Sequence, residues 1–167
     1  MAVFDGEKMR WQYHKLTSGA AVYAVTGAYF PTLMAMVGSI LPDVVELGIV
    51  RHRTATHWPP PWLALAVLSY GACWFCPNIW LYLFFFIWIG ALLHMGEDYL
   101  SITGIPFRSP GSLRRGAGLY VTGTMRESVL AISFIGISLL IAYQRGFLAV
   151  GHFIQETTKL KALAELL

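Results

Sequence analysis

Apolar residues in this chain come in long unbroken runs rather than in the narrow stripes or alternations of a water-soluble fold. No Asp, Glu, Lys or Arg occurs from Trp58 to Leu93, from Gly19 to Leu41, or from Ser128 to Gln144. A helix crosses a bilayer with about 20 such residues, so each run predicts membrane-embedded helix. Leu41-Pro42-Asp43 closes the first run, and His57-Trp58-Pro59-Pro60-Pro61 separates a charged loop from the second. Cys76-Pro77-Asn78 divides the long run into helices over about 61–76 and 79–97, because proline and asparagine favour a turn. A polar, glycine-rich segment, 99–124, leads to a last long helix over about 125–150, and the tail from 152 reads as a short amphipathic helix.

The first run admits two conformations. One straight helix over 15–41 would be about 40 Å long and would put His14 and Asp43 on opposite sides of the membrane. A hairpin broken at Gly27-Ala28-Tyr29-Phe30-Pro31, where proline removes a backbone donor, returns Asp43 to the side of His14. Charge favours the hairpin. Arg145, Lys159 and Lys161 then lie on one side and the other nine of the 12 Lys and Arg on the other, whereas a straight helix divides them six and six. Basic loops stay in the cytoplasm. The expected fold is all-α: a polytopic integral membrane helical bundle, with an N-terminal helical hairpin and about three further membrane helices. Residues 1–150 form one membrane-embedded domain whose polar loops, 42–60 and 96–127, face the cytoplasm, and 151–167 form the tail.

Composition agrees. The chain is 56% hydrophobic and 13% charged, against about 25% charged in soluble domains, which argues against disorder, a disulfide scaffold or a water-soluble enzyme. The first fifteen residues, with Asp5, Glu7, Lys8, Arg10 and Lys15, are too polar for a removable signal peptide and are expected to lie at the membrane surface. The net charge of +3 comes without a basic cluster larger than Arg114-Arg115, so basic loops beside a membrane explain it better than nucleic-acid binding. Cys73 and Cys76 have no second pair and no polar surroundings, and read as small packing residues.

Chemistry is concentrated at the borders of the runs. His14, His52, His57 and His94 lie there with Asp43 and Asp98, and the hairpin gathers all six on one face of the membrane; His152 stands alone. His94 and Asp98 are i and i+4, one turn apart on the same helix face, where both can ligate one ion or simply hydrogen-bond. Glu97, at i+3, is the other carboxylate within reach of His94. Arg51-His52-Arg53-Thr54-Ala55-Thr56-His57 supplies two imidazoles for a metal and arginines suited to a phosphate, or else meets lipid headgroups and water. Asp43 follows an apolar helix directly, where it can also serve as a turn cap.

His14 with Gly19, Leu41-Pro42-Asp43, His52-Arg53 with Thr56-His57, His94 with Asp98 and Gly104, and Gly123-Thr124-Met125-Arg126-Glu127 follow in that order. This order resembles the YdjM-like family of predicted membrane-bound metal-dependent hydrolases, whose pattern is a first histidine, L-P-D-x-D, H-R-G-x-T-H-S, H-x-x-x-D-x-x-T-x-x-G and G-x-x-x-E. The match spans residues 14–127, with Val45 in place of the family's second aspartate, Glu46 beside it, and Thr54, Trp58 and Ser101 at three further departures. The order of ligands is also similar, more loosely, to that of zinc-dependent phospholipase C and P1 nuclease. The resemblance implies His14, Asp43, His57, His94 and Asp98 as metal ligands, for zinc above all, with manganese or iron as the other ions such donors suit. His52 and Arg53 would neutralise charge on a phosphoryl group, Arg53 and Arg108 would bind substrate, and Glu127 would act as a base or further ligand.

The function expected on these grounds is a membrane-bound metal-dependent hydrolase of a phosphoester in a lipid or lipid-linked substrate, in a bacterial inner membrane with its site facing the cytoplasm. The competing expectation is a non-catalytic membrane interaction protein, homo-oligomeric or bound to another membrane protein, with a structural metal site.

Overall fold

The computed structural model describes residues 4–46 and 53–164, with side chains over 11–46 and 53–162. It is mostly helical. Helix α1 (Phe4–Thr26) ends at Gly27, whose φ of +65° turns the chain back, and α2 (Tyr29–Gly38) returns along α1. A side chain at Gly27 would collide with the Phe147 ring, so the tight turn and its close cover both require glycine. The expected hairpin is therefore present, broken at the expected residues. The short α3 (Leu41–Val44) follows, carrying Pro42 in its first turn and Asp43 after it.

A single 3-10 turn (Ala55–His57) leads into α4 (Pro59–Phe75), and the two are tied by the Trp62 Nε1 hydrogen bond to the Thr56 carbonyl at 2.8 Å. Asn78 caps α5 (Ile79–Leu100), its side chain accepting from the Trp80 amide at 2.8 Å. Strands β1 (Ile105–Pro106) and β2 (Arg114–Arg115) pair antiparallel in the polar segment. Helix α6 (Met125–Gln144) is shorter than expected. Gly146, at φ +76°, stops it, and α7 (Val150–Ala164) begins afresh and docks on α2.

Side by side the helices run α4, α5, α2, α1, α6. Where α2 and α5 cross, their backbones touch. A Cβ at Gly38 would lie 1.9 Å from the Ile87 carbonyl oxygen, and one at Gly90 would lie 2.1 Å from that of Ala35. Small residues allow this backbone contact, as in packed membrane helices, and it brings the end of α2 beside the turn of α5 that bears His94. Two of the helices, α5 and α6, are long and apolar enough to cross a membrane. At ten residues α2 is only about 15 Å long, half the thickness of a bilayer core. Cys73 and Cys76 are unpaired, and Cys76 is exposed at the α4–α5 turn rather than packed inside.

Candidate metal centre

Five of the side chains singled out in the sequence meet at one end of the bundle. His14 comes from α1, Asp43 from α3, His57 from the 3-10 turn, and His94 and Asp98 from α5. His14, His94 and Asp98 form one group able to hold an ion, and Asp43, His57 and His94 a second, with His94 common to both. His57 Nε2 lies 3.2 Å from Asp43 Oδ1 and 3.3 Å from Asp98 Oδ2; His94 Nε2 is 3.6 Å from each of the same oxygens. His14 Nε2 is 3.9 Å from Asp98 Oδ1. Ligand atoms about 2.1 Å from a tetrahedral ion are themselves about 3.4 Å apart, so the spacing fits donors arranged around an ion.

Two further observations point to a cation. His57 Nε2 and His94 Nε2 face each other at 3.1 Å, a contact that two neutral lone pairs oppose and that a proton or a metal reconciles. Among the described residues, the cluster and its immediate supports hold four carboxylates, Asp43, Glu46, Glu97 and Asp98, against the guanidinium of Arg53. Burial by itself would lower the His57 pKa, but Asp43 and Asp98 outweigh it and raise it to about 9, so without metal this imidazole keeps a proton among the carboxylates.

The imidazoles are aimed from behind. His14 Nδ1 donates to Glu97 Oε2 at 2.7 Å, leaving Nε2 turned to Asp98. Glu97 is also held by the Thr17 hydroxyl. His57 Nδ1 lies 3.2 Å from Glu46 Oε1, and that oxygen also accepts from the Arg53 amide at 3.1 Å and the Thr56 hydroxyl at 2.9 Å. A carboxylate behind an imidazole fixes its tautomer and raises its basicity toward a metal. Glu97 therefore supports the site instead of replacing Asp98 as ligand: at i+3 it turns toward α1, while Asp98 at i+4 turns inward. Val45 is half exposed, so the position of the absent aspartate points outward and the neighbouring Glu46 reaches in.

Arg53 has a left-handed backbone, φ +59°, and is almost fully buried. Its guanidinium bonds Asp98 Oδ1, Thr103 and, at 2.9 Å, the Ser101 hydroxyl. The guanidinium expected to bind phosphate is thus engaged with Asp98, which it holds in place. Glu127 is buried and accepts from the Gly123 amide at 2.5 Å, capping the entry to α6; it lines a groove shared with Glu97 and stands outside both ligand groups. Arg108 is exposed and lines a separate surface pocket with Tyr99, Phe107 and Arg115. His52 lies outside the described residues. Ser101 stands where the motif resembling H-x-x-x-D-x-x-T has its threonine, whereas Thr103, Thr17 and Tyr120, whose hydroxyl donates to the Glu97 carbonyl at 2.9 Å, carry no such signal in the sequence. Burial and the nearby carboxylates raise the Tyr120 pKa, so this phenol stays protonated and donating.

His57 and His94 are sealed from solvent, and Asp43 is the least covered of the five ligands, with its Oδ2 bonded at 2.8 Å by the indole of exposed Trp11. His152, expected to stand alone, donates from Nε2 to the Gly27 carbonyl at 2.6 Å at the opposite end of the hairpin. Comparison of the chain with family models, with curated proteins and with solved structures finds no match.

Proposed function

We propose that this protein is a membrane-bound, metal-dependent hydrolase of a lipid or lipid-linked phosphoester. The observation that carries the reading is the convergence of His14, Asp43, His57, His94 and Asp98, drawn from four separate elements, on a shared space with surplus negative charge. A divalent ion held there, zinc first and manganese or iron(II) otherwise, would supply Lewis acidity and lower the pKa of a water from 15.7 to about 7. The chain's own residues do the positioning. Glu97 and Glu46 orient two imidazoles, Arg53 fixes Asp98, and Asp43 offers the least covered edge for a phosphoester to approach. The order of motifs resembling the YdjM-like family supports the same reading, as do the two apolar helices, which suit an inner-membrane protein whose basic loops keep the site in the cytoplasm.

Full-length protein purified without chelators is expected to carry near-stoichiometric transition metal and to hydrolyse a phosphodiester, with both lost in His94→Ala. Metal-free wild type by elemental analysis would overturn the reading. The near-complete burial of His57, His94 and Asp98 favours one alternative, a membrane scaffold with a structural metal. Stoichiometric metal with no turnover, and loss of folding in His94→Ala, would select it.

A further inference from the structure

Between α5 and α6 lies a groove of about 400 Å³ that the hydrolytic reading leaves unused. These two helices barely touch each other; α1 packs along α6, only lightly against α5, and forms the floor. The walls are apolar, with Leu93 and Leu100 on α5 facing Leu130, Phe134 and Ile137 on α6. From Glu127 to Ile137 the α6 wall runs about 15 Å, one leaflet of a hydrocarbon core about 30 Å thick. Ser133 apart, the polar lining gathers where the middle of α1, the end of α5 and the start of α6 meet. Glu97 and Glu127 are there, and among the described residues no Lys, Arg or His lines the groove. Ser18 is there too, fully buried, its hydroxyl without a hydrogen-bond partner among the described residues. Glu97 bonds His14 on its other side, so this polar end is one hydrogen bond from the cluster.

We propose that the groove holds the hydrocarbon chain of a single-chain lipid phosphoester, with a hydroxyl or amino group of that lipid seated against Ser18, Glu97 and Glu127. The phosphoester rests on the hydrolase reading, whereas the chain site stands on the groove itself. Both walls belong to the helices suited to span a membrane, so the groove is presented to lipid. One slot of one-leaflet depth seats one chain. Glu97, held by His14 and Thr17, and Glu127, held by the Gly123 amide, present acceptor oxygens that suit a donor rather than a phosphate, and Ser18 is an unspent partner for the same group. The donor therefore lies between the chain and the phosphate.

Gly96 sits on the α5 wall with open space where a side chain would go, so Gly96→Leu fills the groove without striking backbone or a cluster ligand. The probe is a palmitoyl lysophospholipid with a diazirine in its chain, crosslinked to metal-loaded full-length protein in nanodiscs and mapped by mass spectrometry. Labelling is expected on Leu93–Leu100 and Leu130–Ile137, displaced by unlabelled palmitoyl lysophospholipid but not by glycerophosphate. It should fall about tenfold in Gly96→Leu, because the leucine displaces chain methylenes, with metal content unchanged. If Gly96→Leu loses its metal, Ser133→Leu fills the groove from the other wall and is expected to give the same loss. Labelling spread evenly over α4 and the other helices, or unchanged in both variants, overturns the proposal. Focused labelling without turnover by wild type keeps the chain site and removes the hydrolase reading alone.

Discussion

The two ends of the N-terminal hairpin both bury polar side chains, and they do so by opposite rules. At the Gly27 end each group has its own partner. His152 meets the Gly27 carbonyl, Arg145 Nη1 donates to the Val25 carbonyl at 2.9 Å, and Tyr23 donates to the Phe147 carbonyl at 2.7 Å. Buried Glu156 is paired with Lys159 at 2.6 Å and accepts from the Tyr29 amide at 3.4 Å. That end fastens α7 to the hairpin. At the His94 end the groups point past their nearest partners toward common space, and among the described residues the carboxylates outnumber the guanidinium and ammonium groups. Pairwise satisfaction is how a fold closes a turn; convergence with excess charge is how a protein holds an ion.

Substitutions can break this contrast, and the largest effect is expected at the residue both ligand groups share. His94→Ala should abolish metal binding by elemental analysis, while His152→Ala leaves it intact. Next comes Arg53→Met, which strands a buried carboxylate and should cost about 3–5 kcal/mol in thermal or denaturant unfolding of the metal-free protein. Bound metal should shrink that cost, because the ion also neutralises Asp98. Glu97→Gln and Glu46→Gln remove the supports behind His14 and His57, and each should weaken metal affinity by about 10- to 100-fold in chelator competition. Glu156→Gln should not.

A pH series sharpens the same comparison. His57 holds its proton to about 9, above its ordinary 6.5, so in metal-free protein its stabilising contribution is complete below pH 6.5 and fades as pH rises to 9. Metal replaces that proton, and affinity should climb over the same window by up to about tenfold per unit. Flat affinity between pH 7 and 9 would show that His57 is no ligand. The smallest effect is expected at the far end: His152→Ala should cost about 1 kcal/mol in unfolding, one hydrogen bond's worth, without altering metal content.

The sequence made the hairpin legible because glycine and proline interrupt an otherwise charge-free run, and because only a folded-back segment makes the basic residues asymmetric. It made the five candidate ligands conspicuous, because histidine and aspartate stand out at the edges of apolar helices. It did not reveal that Glu97 and Asp98, adjacent in the chain, take opposite sides of His14, Glu97 behind its Nδ1 and Asp98 before its Nε2, since that depends on how α5 is rotated against α1. Nor did it separate Arg53 from a substrate-binding arginine: a guanidinium's partner is set by a loop conformation with positive φ that no propensity predicts for arginine. Glu46 was visible as a neighbour of Val45, but its role required knowing which of the two faces inward. The end of α6 was misplaced because a glycine that stops a helix and one that sits harmlessly within it look alike until φ is known.

The backbone-to-backbone crossing at Gly38 and Gly90 also sets the reach of the centre. Asp43 follows α2, and α2 lies close to α5 because those glycines let the two backbones touch. A single methyl group at either glycine would wedge the crossing open and draw the first aspartate away from the histidines.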